Sequence, residues 1–296
     1  GGFEADGGST EGVGYWSYGL KNMICFSEML RQRTKGRIDL LSSVDKLERI
    51  AVYPLKVMLS PGRFANFSDS DEQTSFSPGV VARLAERTGQ AEAIKVLAGS
   101  GAQTTLPWRL PMALRTMLWW DGDHAEDVTI SDAQLPEVGF ARLVAEAPAG
   151  MPVVVAFKAG HNAENHNQND VGSFIVHVDG ETFLCDPGRG LYSRQYFSDA
   201  RYDNVFANSY GHSLPVVDGA LQAAGREYAG EVLRFAPDAD PKAVVAEIGD
   251  AYPVDALEGL SRTLTLDAEG DGAGTVTLTD AFAFGAEAGA VQGALV

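Results

Sequence analysis

The spacing of apolar residues along the chain changes period once. Through roughly the first 120 residues it is helical. In YWSYGLKNMICFSEMLRQRT, Tyr15, Tyr18, Met23, Phe26 and Leu30 recur near helical spacing, and basic residues precede a Lys-Gly stop. IDLLSSVDKLERIAVYPLKVML is periodic again, with Pro54 as a kink or boundary. SPGVVARLAERTGQAEAIKVLAG and LPWRLPMALRTMLWW predict two more helices, the first with a glycine stop. From about residue 128 the runs become short and β-rich: LPEVGFARLVAE, MPVVVAFKAG, GSFIVHVDG, ETFLCDPG, HSLPVVDG, EYAGEVLRFA, KAVVAEIGD, RTLTLDAEG and GTVTLTDAFAFGA. Gly, Asp, Asn and Pro separate them, and HVDGET carries a two-residue hairpin signal. The expectation is an α+β chain of two domains, helical over 1–128 and an antiparallel β-sandwich over 129–296. Both ends are abrupt and the helices are few, so a piece of a larger protein is expected.

Composition narrows the classes. With 45% hydrophobic and 21% charged residues the chain is globular. No apolar run approaches the roughly 18 residues that a bilayer requires, and GGFEADGGSTEG shows no export signal. A net charge of −17 argues against general nucleic-acid binding. A local pocket can still be basic. RGLYSRQYFSDARYDN interleaves Arg189, Arg194 and Arg201 with Tyr192, Tyr196 and Tyr202. Arg beside aromatics suits a flat, carboxylate-bearing sugar, although a solvated loop has the same composition. Cys25 and Cys185 have no motif around them, and both are expected to be small buried hydrophobes.

Two polar clusters remain. HNAENHNQND, residues 161–170, sits between two strand-like runs and reads as either a hairpin loop or a site. His166, Gln168 and Asp170 alternate, so an extended backbone would point them one way. Together with Asp186 and His212, Gln168 can be drawn onto a metal through its carbonyl oxygen. Satisfied side chains in turns are the alternative. Tyr15 and Tyr18 share one helix face, as core aromatics or as proton-transfer groups.

EGVGYWSYG, then AGHNAENHNQNDVGSFIVHVDGETFLCDPGRGLY, then RYDNVFANSYGHSLPVVDG resembles the heparinase II/III-like polysaccharide lyases, with alginate-oligomer and heparinase III-like enzymes nearest. The resemblance covers about two thirds of the chain. It implies part of an (α/α) toroid followed by a β-sandwich, and β-elimination on uronic-acid glycans of alginate or glycosaminoglycan type. Such chemistry depends on donors that stabilise the enolate-like charge left when the C5 proton departs. By motif position the resemblance implies Tyr15 as general acid and base, with Tyr18 beside it and His166 as the sheet-domain histidine. His161 competes with His166. Arg189, Arg194, Lys158 and Trp16 are the expected substrate contacts.

The family's metal positions hold Gln168, Asp186 and His212 here. The glutamine departs from the zinc pattern, so one structural divalent ion, calcium or zinc, is expected, and no organic cofactor. The partner implied is an acidic polysaccharide or oligosaccharide, with no nucleic acid and no membrane, in a bacterial periplasmic or secreted setting. The family's upstream Asn and His or Arg have no counterpart here, so this stretch alone is expected to show little lyase activity. Epimerisation at C5 and non-catalytic glycan binding are the competing readings.

Overall fold

The computed structural model describes residues 2–99, 110–122, 127–148, 150–285, 287, 289–293 and 295–296. The chain forms two compact units. One comprises Gly1–Phe64 and Asp71–Ile130, the other Ala65–Ser70 and Ser131–Val296. The main passage between them, at Ile130 and Ser131, falls where the periodicity changes. The six-residue excursion at 65–70 carries no such signal.

The first unit holds four α-helices among its described residues: α1 (Gly12–Arg33), α2 (Leu47–Lys56), α3 (Pro78–Thr88) and α4 (Leu110–Trp119). Residues 106–109 of the fourth predicted helix lie outside the described residues. Pro54 sits in the last turns of α2, which ends two residues later. Met58 and Leu59, which close the second helical run, instead fall in strand β1 (Met58–Ser60), which pairs with β2 (Arg63–Phe64). In α3, Pro78 occupies the first turn, where its missing N–H is harmless, and Gly89 closes the helix at φ 69°. Gly79 lets α3 approach α4 closely, because a Cβ there would lie 2.5 Å from Thr116 Cα.

The buried face of α1 differs from the expected one. Val13, Trp16, Leu20, Ile24 and Ser27 are buried, whereas Tyr18, Phe26 and Met29 are exposed. The helix carries apolar residues on more than one face, so periodicity identified the helix without choosing its inward stripe. No helix among the described residues is long and apolar enough to cross a membrane.

In the second unit, β3 (Ala133–Leu135), β4 (Phe140–Ala147), β5 (Met151–Lys158), β7 (Phe174–Val178) and β8 (Glu181–Leu184) form one antiparallel sheet in the order β3-β4-β5-β7-β8. A second five-stranded antiparallel sheet has the order β13-β12-β11-β10-β6. Its strands are β6 (Gly160–Asn162), β10 (Gly225–Ala236), β11 (Lys242–Glu247), β12 (Leu257–Leu266) and β13 (Val276–Phe284). β9 (Val216–Val217) pairs with β14 (Val291–Gln292).

One hydrophobic core draws on both large sheets, with Leu143, Val155 and Phe157 from the first and Val244, Leu260 and Leu264 from the second. The β7–β8 turn is the predicted Asp-Gly hairpin, Asp179 and Gly180 both having positive φ. Arg262 breaks the apolar row of β12. It lies buried between Leu260 and Leu264 and donates from Nε and Nη2 to the two carboxylate oxygens of Asp280 on the paired strand, at 2.8 Å each. It also donates to the carbonyls of Gly172 and Ser213, which flank loops described below.

Candidate functional site

HNAENHNQND is not a hairpin. β5 pairs with β7, while β6, between them in sequence, pairs with β10 of the other sheet. The stretch therefore carries the chain out of one sheet and back, and its backbone polar groups need partners off the ladders. Its side-chain amides tie the stretch to neighbouring segments. Asn162 donates to Gln222 Oε1 and the Ala223 carbonyl, and Asn169 to the Gln222 carbonyl. Gln222 in turn bonds both backbone groups of Val171, at 2.6 and 3.1 Å. Asn167 reaches Asn169 and the Tyr202 hydroxyl. Much of the polar surplus is thus loop architecture.

Within that frame, His166 adopts φ 56°, a left-handed conformation that costs a non-glycine residue of order 1–2 kcal/mol. The backbone is not extended there, so the alternation of 166, 168 and 170 does not aim three side chains at one point. His166 and Gln168 instead meet Asp69. Asp69 belongs to the 65–70 excursion and follows Ser68, also left-handed at φ 62°.

The Asp69 carboxylate is fully buried. Its Oδ1 accepts from Tyr196 Oη at 2.6 Å, Arg201 Nη2 at 2.9 Å and Gln168 Nε2 at 3.2 Å. Its Oδ2 lies 3.2 Å from both His166 Nδ1 and the Tyr192 hydroxyl, which are 3.3 Å from each other. Arg201 stacks over the Tyr196 ring at 4.2 Å and also bonds the carbonyls of Asn167 and Tyr196. Burial, and next the hydrogen bond to Asp69, push the Tyr196 phenol above its ordinary range. His166 keeps about a quarter of its side chain exposed, parallel to the Tyr192 ring and edge-on to the exposed Phe197. Sequence reasoning missed Asp69. SDSDE offers no motif, and only the fold brings it to a histidine 97 positions away.

A second buried cluster lies on the same loops. Asp170, Asp186 and His212 each offer a ligand atom, all within 4.8 Å of one another. Asp186 Oδ2 is 2.9 Å from His212 Nδ1, and Asp170 is ion-paired with Lys158. Two atoms of this cluster, Asp170 Oδ2 and His212 Nε2, have no hydrogen-bond partner among the described residues, and the buried Gln168 Oε1 has none either. Buried polar atoms left unmatched are costly, so their clustering fits a cation. Asp170 is thus the third member of the geometric cluster. Gln168 spends its amide nitrogen on Asp69 and the Gly188 carbonyl. Burial disfavours a charged His212, but the Asp186 carboxylate outweighs it and raises the imidazole above its usual range.

The remaining candidates separate. His161 is held elsewhere, its Nε2 3.0 Å from Glu164 Oε1. Lys158 is buried in its pair with Asp170, with Ser68 as a further contact. Trp16 is likewise core, its indole donating to the Ile50 carbonyl at 2.7 Å. Arg189 is exposed and lies 5.5 Å over the Tyr192 ring, and Arg194 is exposed in the same segment. In the helical unit, Tyr15 is half-buried in the first turns of α1, and Tyr18 is 64% exposed beneath the Lys21 ammonium. Cys25 is buried as expected, but Cys185 is exposed at the end of β8.

No protein-family model and no curated protein matches the chain. Solved structures do. A structure described as the heparinase III BT4657 gene product matches with a TM-score of 0.65 at 13% identity, over 97% of this chain and 40% of its own. Heparan sulfate lyase HepC from Pedobacter heparinus matches at 0.61 and 16% identity, over 90% of this chain and 37% of its own. A further heparinase III structure matches at 0.62 and 18% identity, over 97% and 42%. The chain therefore has the fold of about two-fifths of a heparinase III-like protein.

Proposed function

We propose that the chain is part of a polysaccharide lyase that cleaves uronic-acid glycans by β-elimination. The fold shared with heparan sulfate lyases supports an acidic polysaccharide as substrate. The observation that carries the reading is the way the β unit holds His166. A part-exposed imidazole, in a strained backbone conformation, is bonded to a buried carboxylate beside tyrosine and arginine. Such expenditure on one histidine is characteristic of groups that transfer protons or bind charge.

In this reading Tyr15 supplies the general acid and base, with Tyr18 near it in sequence, and His166 is the companion histidine. Arg189 and Arg194 bind carboxylates of alginate- or glycosaminoglycan-type chains. The four helices are part of an α/α toroid and the two large sheets are its β-sandwich. Asp170, Asp186 and His212, with Gln168 through its free oxygen, would hold one divalent ion, which would tie these loops together. Oxygen donors predominate, which favours calcium over zinc. A periplasmic or secreted setting follows from the same reading.

The test is the full-length protein on a panel of uronate polymers and oligomers, followed by the ultraviolet absorbance of the new C4–C5 double bond. Turnover should fall by two orders of magnitude or more in Tyr15→Phe while binding is retained, in the range general acid–base groups contribute, about 10²–10⁴. Solvent deuterium at C5 without chain shortening would replace the lyase by an epimerase. Binding without either product would leave only a glycan-binding protein.

A further inference from the structure

We propose that Asp69 is a positioning residue for His166, fixing the imidazole in its Nδ1–H tautomer so that Nε2 is the nitrogen carrying the lone pair. The inference rests on the lyase reading for its consequence, but not for its test.

Hydrogen-bond accounting leads there. Asp69 Oδ1 faces three donors. The Arg201 guanidinium has no acceptor, the Tyr196 phenol is held protonated by burial, and Gln168 Nε2 carries only hydrogens. Those contacts, one of them an ion pair, occupy Oδ1 and fix the plane of the carboxylate. Oδ2 is then a pure acceptor at 3.2 Å from Nδ1, so Nδ1 must bring the proton. Tyr192 lies 3.2 Å from the same oxygen and is satisfied as a second donor to it. Both partners are set by backbone as well as by side chain, since Ser68, adjoining Asp69, and His166 itself are the left-handed residues noted above. A carboxylate on Nδ1 also stabilises the imidazolium that forms when Nε2 takes a proton, without itself becoming protonated. Within the lyase reading, the atom of His166 that meets substrate is therefore Nε2, acting as acceptor first.

Substituting asparagine makes a definite statement. In Asp69→Asn the amide oxygen must go to the side occupied by Arg201, Tyr196 and Gln168. The NH2 group then faces Nδ1, which can only accept, and the proton moves to Nε2.

The chain contains five histidines, so selective ¹⁵N labelling gives a resolvable long-range ¹H–¹⁵N spectrum. It should be recorded near pH 8.5, about two units above an ordinary histidine. The His166 signals are those lost in His166→Gln. The parent should show the Nδ1–H pattern, Asp69→Asn the Nε2–H pattern, and Tyr192→Phe the parent pattern. A parent spectrum with the proton on Nε2, or a switch caused by Tyr192→Phe, overturns the proposal, and both can be read even if Asp69→Asn fails to fold. In the full-length protein, Asp69→Asn should lower kcat at least tenfold with KM changed less than threefold. If the tautomer switches but the full-length parent yields no unsaturated product, the lyase reading fails and the positioning role stands.

Discussion

Arg262 offers the sharpest test of how the β unit is held. Its guanidinium is 2% exposed, on the inward row of β12, with two charge-assisted bonds to Asp280 and one to each carbonyl of Gly172 and Ser213. Arg262→Met keeps the apolar stem but strands a carboxylate and two carbonyl oxygens. Breaking a buried pair from one side costs about 3–5 kcal/mol, against roughly 0–1 for an exposed pair. At 1.36 kcal/mol per decade, amides of β11, β12 and β13 should exchange about two to three and a half decades faster. Hydrogen exchange followed by mass spectrometry reads this strand by strand. The double variant Arg262→Met with Asp280→Leu removes both charges, so it should recover part of the loss. The carbonyls of Gly172 and Ser213, still unpaired, should keep that recovery incomplete. If the single variant exchanges within a factor of two or three of the parent, Arg262 is behaving as a surface ion pair and the reasoning is wrong.

Two further outcomes are expected. Calcium at a hundredfold excess over its dissociation constant should stabilise the protein by about 2.7 kcal/mol, raising Tm by roughly 5–10 °C at the sensitivity of a β unit this size. Asp186→Asn should abolish most of that shift, and an unshifted parent in both calcium and zinc would remove the ion from the proposal. Of the two thiols, Cys185 should react with a disulfide reagent at least tenfold faster than Cys25, whose thiolate is disfavoured by burial. Equal rates would contradict the burial of Cys25.

The sequence disclosed period better than direction. The helices, the β-rich half and the Asp179-Gly180 hairpin were legible because each is a local property of a few consecutive residues. The inward face of α1 was not, because apolar residues lie on several sides of it and only tertiary packing selects Val13, Trp16 and Leu20. Lys158 looked like a free cation beside an anionic substrate. Its burial depends on Asp170, twelve positions on, turning back towards it across the β6 crossover. The buried cluster of Asp186 and His212 was legible as a motif, whereas its third geometric member depended on loop shape. Asp69 was illegible because nothing local distinguishes it from the neighbouring aspartates of SDSDE, and its role exists only once His166, Tyr196 and Arg201 surround it.

The 65–70 excursion has a consequence for how such a protein can be divided or inherited. A cut at the change of periodicity, near residue 130, would appear to release the β unit intact. It would in fact take away the one acceptor on which Arg201, Tyr196 and His166 converge. Exchange of helical halves between relatives would import a foreign acceptor into the β half along with them. The two halves are therefore not interchangeable modules: the β half depends on six residues encoded inside the helical one.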